Sequence, residues 1–185
     1  MTDAPYLTFA ELESGLDEIR RSPKDGGVLE MIVRRPQIDA REVLQEGMLD
    51  PHEGLVGDNW STRGSFRAAE EPPNPDAQLT VMNARAIALM AQDRGRWPLA
   101  GDQLYIDMDL SSENLPPGSR LALGTAIIEV TAIPHTGCKK FAQRFGTDAT
   151  KFVNSIAGKE LHLRGICAKV IRVGEIRVGD SVKKI

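Results

Sequence analysis

The chain has 185 residues, enough for one domain with a sizeable core and too few to require two. Hydrophobic residues make up 41% and charged ones 26%, and the net charge of -3 gives no electrostatic reason to expect nucleic acid or an anionic membrane as partner. No apolar run approaches the roughly 20 residues a membrane helix needs, and Met1 to Pro5 lacks a signal-peptide pattern, so a cytosolic protein is expected. The two cysteines, Cys138 and Cys167, are then expected to stay as thiols, and the sequon-like Asn59-Trp60-Ser61 carries no meaning for glycosylation.

Thr8-Phe9-Ala10-Glu11 has the form of a capping box, and Phe9, Leu12, Leu16 and Ile19 follow at spacings of three and four. An amphipathic N-terminal helix ending before Ser22-Pro23 is predicted, packed on the body or on a second subunit, which leaves a homo-oligomer open. Val28 to Arg34 reads as a strand halted by Pro36. Asp39 with Glu42 is expected to cap a short helix running to about Glu46, and Asp50 to Asn59 is rich in turn residues. Ser61 to Ala77, with Pro72, Pro73 and Pro75, reads as a long surface loop that offers Arg63 and Arg67 to an anionic ligand.

Leu79 to Met82 forms a short strand, and Asn83 caps a helix to about Arg94, with Gly95 as its stop. Leu104, Ile106, Met108 and Leu110 alternate with Tyr105, Asp107 and Asp109, the pattern of a half-buried strand whose two carboxylates face solvent. Strands over Leu121 to Leu123 and Thr125 to Ile133 are broken by Gly124. Beyond Pro134, Cys138 opens a helix with Phe141 and Phe145 on one face; Gly146 ends it, and Thr147 caps a second helix that closes at Gly158. Leu161 to Val173 and Glu175 to Val182 are strand-like. Strands dominate without regular strand-helix alternation, which predicts a mainly β, α+β architecture, mixed and mostly antiparallel, decorated by helices.

Cys138 carries the chemistry. It stands where a strand hands over to a helix, whose first amides favour an anion such as a thiolate. Lys139, Lys140 and His135 are cationic neighbours in sequence that act in the same direction. Cys138 is therefore a candidate reactive thiolate or soft metal ligand, against the plain alternative of a small buried hydrophobe. His135 is the next candidate, as base or donor, against a structural histidine bonded to backbone. Cys167, in an apolar strand, reads as core.

The run His135-Thr136-Gly137-Cys138-Lys139-Lys140-Phe141, followed by Arg144-Phe145-Gly146-Thr147-Asp148-Ala149, resembles the cysteine motif of small stand-alone MOSC domains. Glu53-Gly54-Leu55-Val56-Gly57-Asp58-Asn59-Trp60, Ala100-Gly101-Asp102-Gln103-Leu104-Tyr105-Ile106-Asp107-Met108-Asp109-Leu110 and Gly174-Glu175-Ile176-Arg177-Val178-Gly179-Asp180 agree in order. The resemblance covers roughly Val28 to the C-terminus, so residues 28–185 are expected to form a single MOSC domain, with 1–27 as an N-terminal helix and linker.

The family is named for the C-terminal domain of molybdenum cofactor sulfurases, and the resemblance implies a MOSC-type β-barrel that works with the molybdenum cofactor (molybdopterin) through Cys138. Two mechanisms fit: Cys138 carries a sulfane sulfur to the metal, or its thiolate ligates molybdenum for oxygen-atom transfer. The anionic phosphate tail of the cofactor would call on Lys139, Lys140, Arg144, Arg63 and Arg67, with Arg164 a further candidate. The chain lacks the pyridoxal-phosphate desulfurase domain of the fused sulfurases, so that cofactor is not expected here and any sulfur would come from a separate cysteine desulfurase. The extra N-terminal barrel of the amidoxime-reducing relatives is also missing.

Two rivals come from the residues. His135-x-x-Cys138 with His162-x4-Cys167 supplies four ligands for a structural zinc. Cys138 with His135 is also a thiol-hydrolase pair, for which Asp58, Asp148 or Asn154 would be the orienting group. No glycine-rich phosphate loop or dinucleotide fingerprint is present.

Overall fold

The structure, a computed structural model, describes residues 6–62 and 72–185. Its centre is a seven-stranded β-barrel. The strands are β1 (Gly27–Arg34), β5 (Leu79–Asn83), β6 (Leu104–Asp107), β7 (Arg120–Leu123), β8 (Ala126–Val130), β9 (Ile166–Arg172) and β11 (Ser181–Lys184). They run in the order β11-β7-β8-β9-β5-β6-β1, and Gly27 and Val28 of β1 close the ring on Val182 and Ser181. The β5–β6 ladder is parallel and the other barrel ladders are antiparallel. Beyond the closure point β1 pairs instead with β2 (Glu42–Leu44), and a small sheet of β10 (Gly174–Arg177), β3 (Glu46–Asp50) and β4 (Gly54–Leu55) lies alongside.

Closure turns one set of alternating side chains inward. Leu29, Ile32, Leu79, Val81, Leu104, Ile106, Leu121, Ile128 and Val182 pack together inside. The opposite faces of β1, β5 and β6 are buried as well, because Met31, Val33, Met82 and Tyr105 lie under the helices. This layer comprises α1 (Phe9–Ser14), α2 (Leu16–Arg20), α3 (Ala84–Ala91), α4 (Lys139–Phe145), α5 (Thr147–Asn154) and α6 (Ile156–Glu160). Tyr105, expected on a solvent face, is fully buried, and its hydroxyl donates to the Trp97 carbonyl at 2.8 Å. Asp107, by contrast, is only partly buried and pairs with Arg85.

The N-terminal capping box forms as expected, with Thr8 and Glu11 bonding reciprocally. The predicted single helix is broken at Gly15 into α1 and α2. There the chain passes so close to α3 that an added Cβ would lie 2.5 Å from Leu89 Cδ2. Leu12 and Ile19 bury against the body, so this segment packs on its own chain. The helix expected from Asp39 to Glu46 is absent; Asp39 adopts φ +61, incompatible with a helix cap, and β2 pairs Val43 with Val33 instead. A strand partner beside β1 outweighs local capping chemistry.

Helix α3 stops at Ala91, three residues before the expected end, and Arg94–Ala100 forms a 3₁₀ helix. Thr147 begins α5 without capping it, Gly146 holding the cap position, and Ser155 opens α6, so the second helix does not run unbroken to Gly158. The last long strand starts at Ile166, not Leu161.

Asn83 caps α3 as read from the sequence, accepting from the Arg85 and Ala86 amides, and its amide group donates to Ser22 Oγ and the Met108 carbonyl. It is buried. Asn83→Ala removes both the cap and the partner of a buried carbonyl, and should lower stability by about 2–4 kcal/mol, read from the urea midpoint. No helix among the described residues is long and apolar enough to cross a membrane.

Candidate functional site

Strand β8 ends at Val130, and residues 131–137 lead without regular structure to Cys138, the N-cap residue of α4. Cys138 is exposed, and its side chain makes no capping bond. The turn before it is pinned: the Gly137 amide donates to Asn154 Oδ1 at 3.0 Å, and Asn154 Nδ2 donates back to the Gly137 carbonyl at 3.3 Å. Phe141 and Phe145 anchor the helix from beneath, both buried, with ring centroids 4.9 Å apart. The thiol is thus carried on a fixed frame and faces outward.

Three residues before it, partly buried His135 joins a polar trio with buried Asp102 and Arg164. Its Nε2 lies 2.9 Å from Asp102 Oδ1, and Arg164 Nη1 donates to Asp102 Oδ2 at 2.6 Å. Burial opposes the charged form of Asp102, but Arg164 and His135 overcome it and hold the carboxyl at about 2. His135 moves down from its ordinary value, through burial first and the Arg164 charge second, against the pull of Asp102. An ionised carboxylate can only accept, so neutral His135 carries its proton on Nε2, which leaves Nδ1 an acceptor. The ring packs on Gly165, whose φ of +114 and close approach to the Val81 carbonyl exclude a side chain. Arg164 also stacks 4.9 Å above the Phe141 ring, linking the trio to α4, and its buried Nε has no partner.

Arg164 is one of four arginines that converge on the end of the 3₁₀ helix. Four successive carbonyls each receive a different guanidinium: Pro98 from Arg41 at 3.1 Å, Leu99 from Arg144 at 2.9 Å, Ala100 from Arg164 at 2.9 Å and Gly101 from Arg35 at 3.0 Å. Carbonyls at a helix end carry partial negative charge, which accounts for the gathering. Asp58 neutralises Arg35 in a buried two-point pair, and Asp102 neutralises Arg164. Arg144 shares the exposed Asp39 with Lys140, at 3.1 and 3.3 Å. Arg41 has no carboxylate ion-pair partner among the described residues, and burial together with the Arg144 and Arg35 charges depresses its pKa. Lys139 is exposed and makes no ion pair among the described residues. Arg63 and Arg67 lie outside the described residues.

The zinc set is not assembled. His135 is bonded to Asp102, while His162 donates from Nδ1 to the Leu110 carbonyl at 2.7 Å and has Ser112 at its Nε2. Cys167 sits buried in β9 opposite Thr80, and among the described residues no three His, Cys, Asp or Glu side chains converge as metal ligands. The hydrolase pair is likewise missing, since no hydrogen bond joins His135 to Cys138. Asp58, Asp148 and Asn154 serve Arg35, the Phe9 amide and Gly137 instead. The orienting carboxylate of His135 is Asp102, which stands in the motif Ala100 to Leu110 but has no signal in the sequence that pairs it with His135. A cavity of about 550 Å³ is lined by His135, His162, Val153 and Cys167 but not by Cys138.

The family profile described as the MOSC domain matches residues 73–183. The chain belongs to the MOSC domain family. Solved structures agree on the fold of this MOSC domain. The YUAD protein from Bacillus subtilis superposes with a TM-score of 0.64 at 16% identity, over 85% of this chain and 94% of that one. YiiM from Escherichia coli gives 0.54 at 21% identity, over 85% and 69%, and YiiM from Geobacillus stearothermophilus 0.55 at 14%, over 85% and 73%. No curated protein matches the sequence. The mixed α+β barrel expected from the sequence is the one found.

Proposed function

We propose that this MOSC domain, residues 28–185, preceded by an N-terminal helix and linker, 1–27, whose helices α1 and α2 pack on it, binds the molybdenum cofactor and works on it through Cys138. The supporting observation is the placement of an exposed, rigidly framed thiol on the same short helix as Lys140 and Arg144, beside an arginine cluster short of negative charge. These residues fit the group. A soft thiolate suits molybdenum, and Arg41, Arg144 and Lys140, with Lys139 nearby, suit an anionic phosphate tail. Arg63 and Arg67 remain candidates from the sequence.

When bound, the cofactor would supply a metal centre able to accept sulfur or exchange an oxygen atom. The chain's part is to present Cys138 and to manage protons near it. In the sulfur-carrier reading, Cys138 thiolate attacks the outer sulfur of a donor persulfide, so that Cys138 gains the sulfane sulfur and the donor leaves as a thiolate. A separate cysteine desulfurase in the cytosol would be such a donor. His135, neutral at pH 7 with Nδ1 open, can accept or return a proton in the turn leading to Cys138.

The test is to mix the protein with released cofactor, separate it by gel filtration and measure molybdenum. The parent should retain the metal in proportion to protein, and Cys138→Ala should lose at least about tenfold in retention, the scale of losing one ligand or its support. Equal retention by both proteins would overturn the thiol-centred reading.

A further inference from the structure

The charges around the 3₁₀ helix end do not balance. Arg35, Arg41, Arg144, Arg164 and Lys140 gather there, and among the described residues Asp58, Asp102 and Asp39 are the carboxylates paired with them. Five cations against three carboxylates leave room for about two negative charges, the charge of a phosphate monoester at neutral pH. Asp58 and Asp102 are buried and fully engaged, each bonded at both carboxylate oxygens. Asp39 differs on every count.

Asp39 is the exposed member, with 60% of its side chain open to solvent, and it touches Lys140 and Arg144 through Oδ1 alone. Its backbone sits at φ +61, a left-handed conformation disfavoured for residues other than glycine and best tolerated by asparagine and aspartate. It lies in the segment between β1 and β2, not in either strand. The donors facing it are not used up. Arg41 spends Nε on Pro98 and Nη1 on Ala40, leaving Nη2 without a hydrogen-bond partner among the described residues, where Lys140 Nζ donates to Asp39 alone. A carboxylate offers this group one oxygen, where a phosphate would offer three.

We infer that Asp39 is a built-in counter-ion occupying the seat of a phosphate monoester, which binds Arg41, Arg144 and Lys140 by displacing it. The seat deepens the cofactor reading and rests on it for the identity of the natural ligand, since the cofactor carries such a phosphate. Exposed ion pairs are weak, so the latch is readily opened by a dianion yet keeps a bare cationic cluster from collecting stray monoanions.

The test uses phenyl phosphate as probe, followed by calorimetric titration of the full chain without molybdenum. Asp39→Asn retains a residue that accepts left-handed backbone, so it removes charge alone. It should tighten phenyl phosphate binding about 3- to 10-fold, the range expected for freeing two exposed ion pairs. Arg41→Gln should weaken binding at least about tenfold. Glu42→Gln, which removes a carboxylate already paired with Arg34 in the same region, should change it less than about twofold. Asp39→Asn binding no tighter than the parent, or Glu42→Gln tightening it equally, would overturn the latch. Because Cys138 and the metal take no part, this outcome is separate from that of the molybdenum experiment. Adding phenyl phosphate to that experiment assigns the source: loss of retained molybdenum identifies the cofactor tail, and unaffected retention with intact probe binding identifies another phosphate.

Discussion

Asp102→Ala should lower the unfolding free energy by about 3–5 kcal/mol at pH 7, among the largest effects expected of any single substitution in the chain. The carboxylate is wholly buried and bonds Arg164 through one oxygen and His135 through the other. Its removal leaves the Arg164 guanidinium buried, with a partnerless Nε already and without a counter-charge. Asp102→Asn keeps the shape but lacks the charge, and should fall between parent and Asp102→Ala. Urea unfolding monitored by the two tryptophans reads the difference.

The same trio sets an acid dependence. The folded-state pKa of Asp102 is depressed from 3.8 to about 2, so its stabilisation is present above the ordinary value and is lost as pH falls towards about 2. His135 is also depressed, below 6.5, so the unfolded chain takes up its proton first and stability declines as pH drops through that range. The gap between parent and Asp102→Asn should therefore be widest near neutrality and close below about pH 3, in the window set by these shifts. A gap independent of pH would show that Asp102 contributes packing and not charge.

The second large effect concerns the two thiols. Iodoacetamide at pH 8 should modify Cys138 at least about a thousandfold faster than Cys167, because burial and the nearby Asp102 charge push the Cys167 thiol up to about 12. At pH 8 a thiol of that pKa is ionised on the order of one part in ten thousand, and the strand pair with β5 further blocks access. Intact mass should show a single adduct on the native protein, mapped to Cys138, with Cys167 reacting only after denaturation. Comparable labelling of both would mean that β9 opens freely. Cys138→Ala should remove the native adduct and, since the side chain is exposed and makes no hydrogen bond, shift stability by less than about 0.5 kcal/mol.

Local signals predicted well where the chain's own pattern is the cause. The Thr8–Glu11 capping box, the Asn83 cap, β1, the β7–β8 hairpin and the pairing of Phe141 with Phe145 all depend on residues within a few positions of one another. They failed where a distant partner decides. Asp39 and Glu42 have helix-capping chemistry, yet β1 offers an open edge beyond its closure with β11, and pairing there draws Glu42–Leu44 into a strand. The break between α1 and α2 falls at Gly15, where a side chain would meet Leu89 of α3, a close approach that the sequence around Gly15 does not announce. Tyr105 looked solvent-facing because alternation marks two faces without saying that one fills the barrel and a helical layer covers the other.

The site divides along the same line. From the sequence alone came the cysteine at the start of a helix, the histidine three residues before it, three of the clustered cations, Lys140, Arg144 and Arg164, and the family. Only the tertiary structure set Asp102 and Arg164 beside His135, brought Arg35, Arg41, Arg144 and Arg164 to four consecutive carbonyls, and dismissed the zinc set. A thiol's neighbours along the helix are written in order, whereas buried charges must find counter-charges wherever the barrel brings them, 33 residues away for His135 and Asp102 and 62 for Arg164 and Asp102.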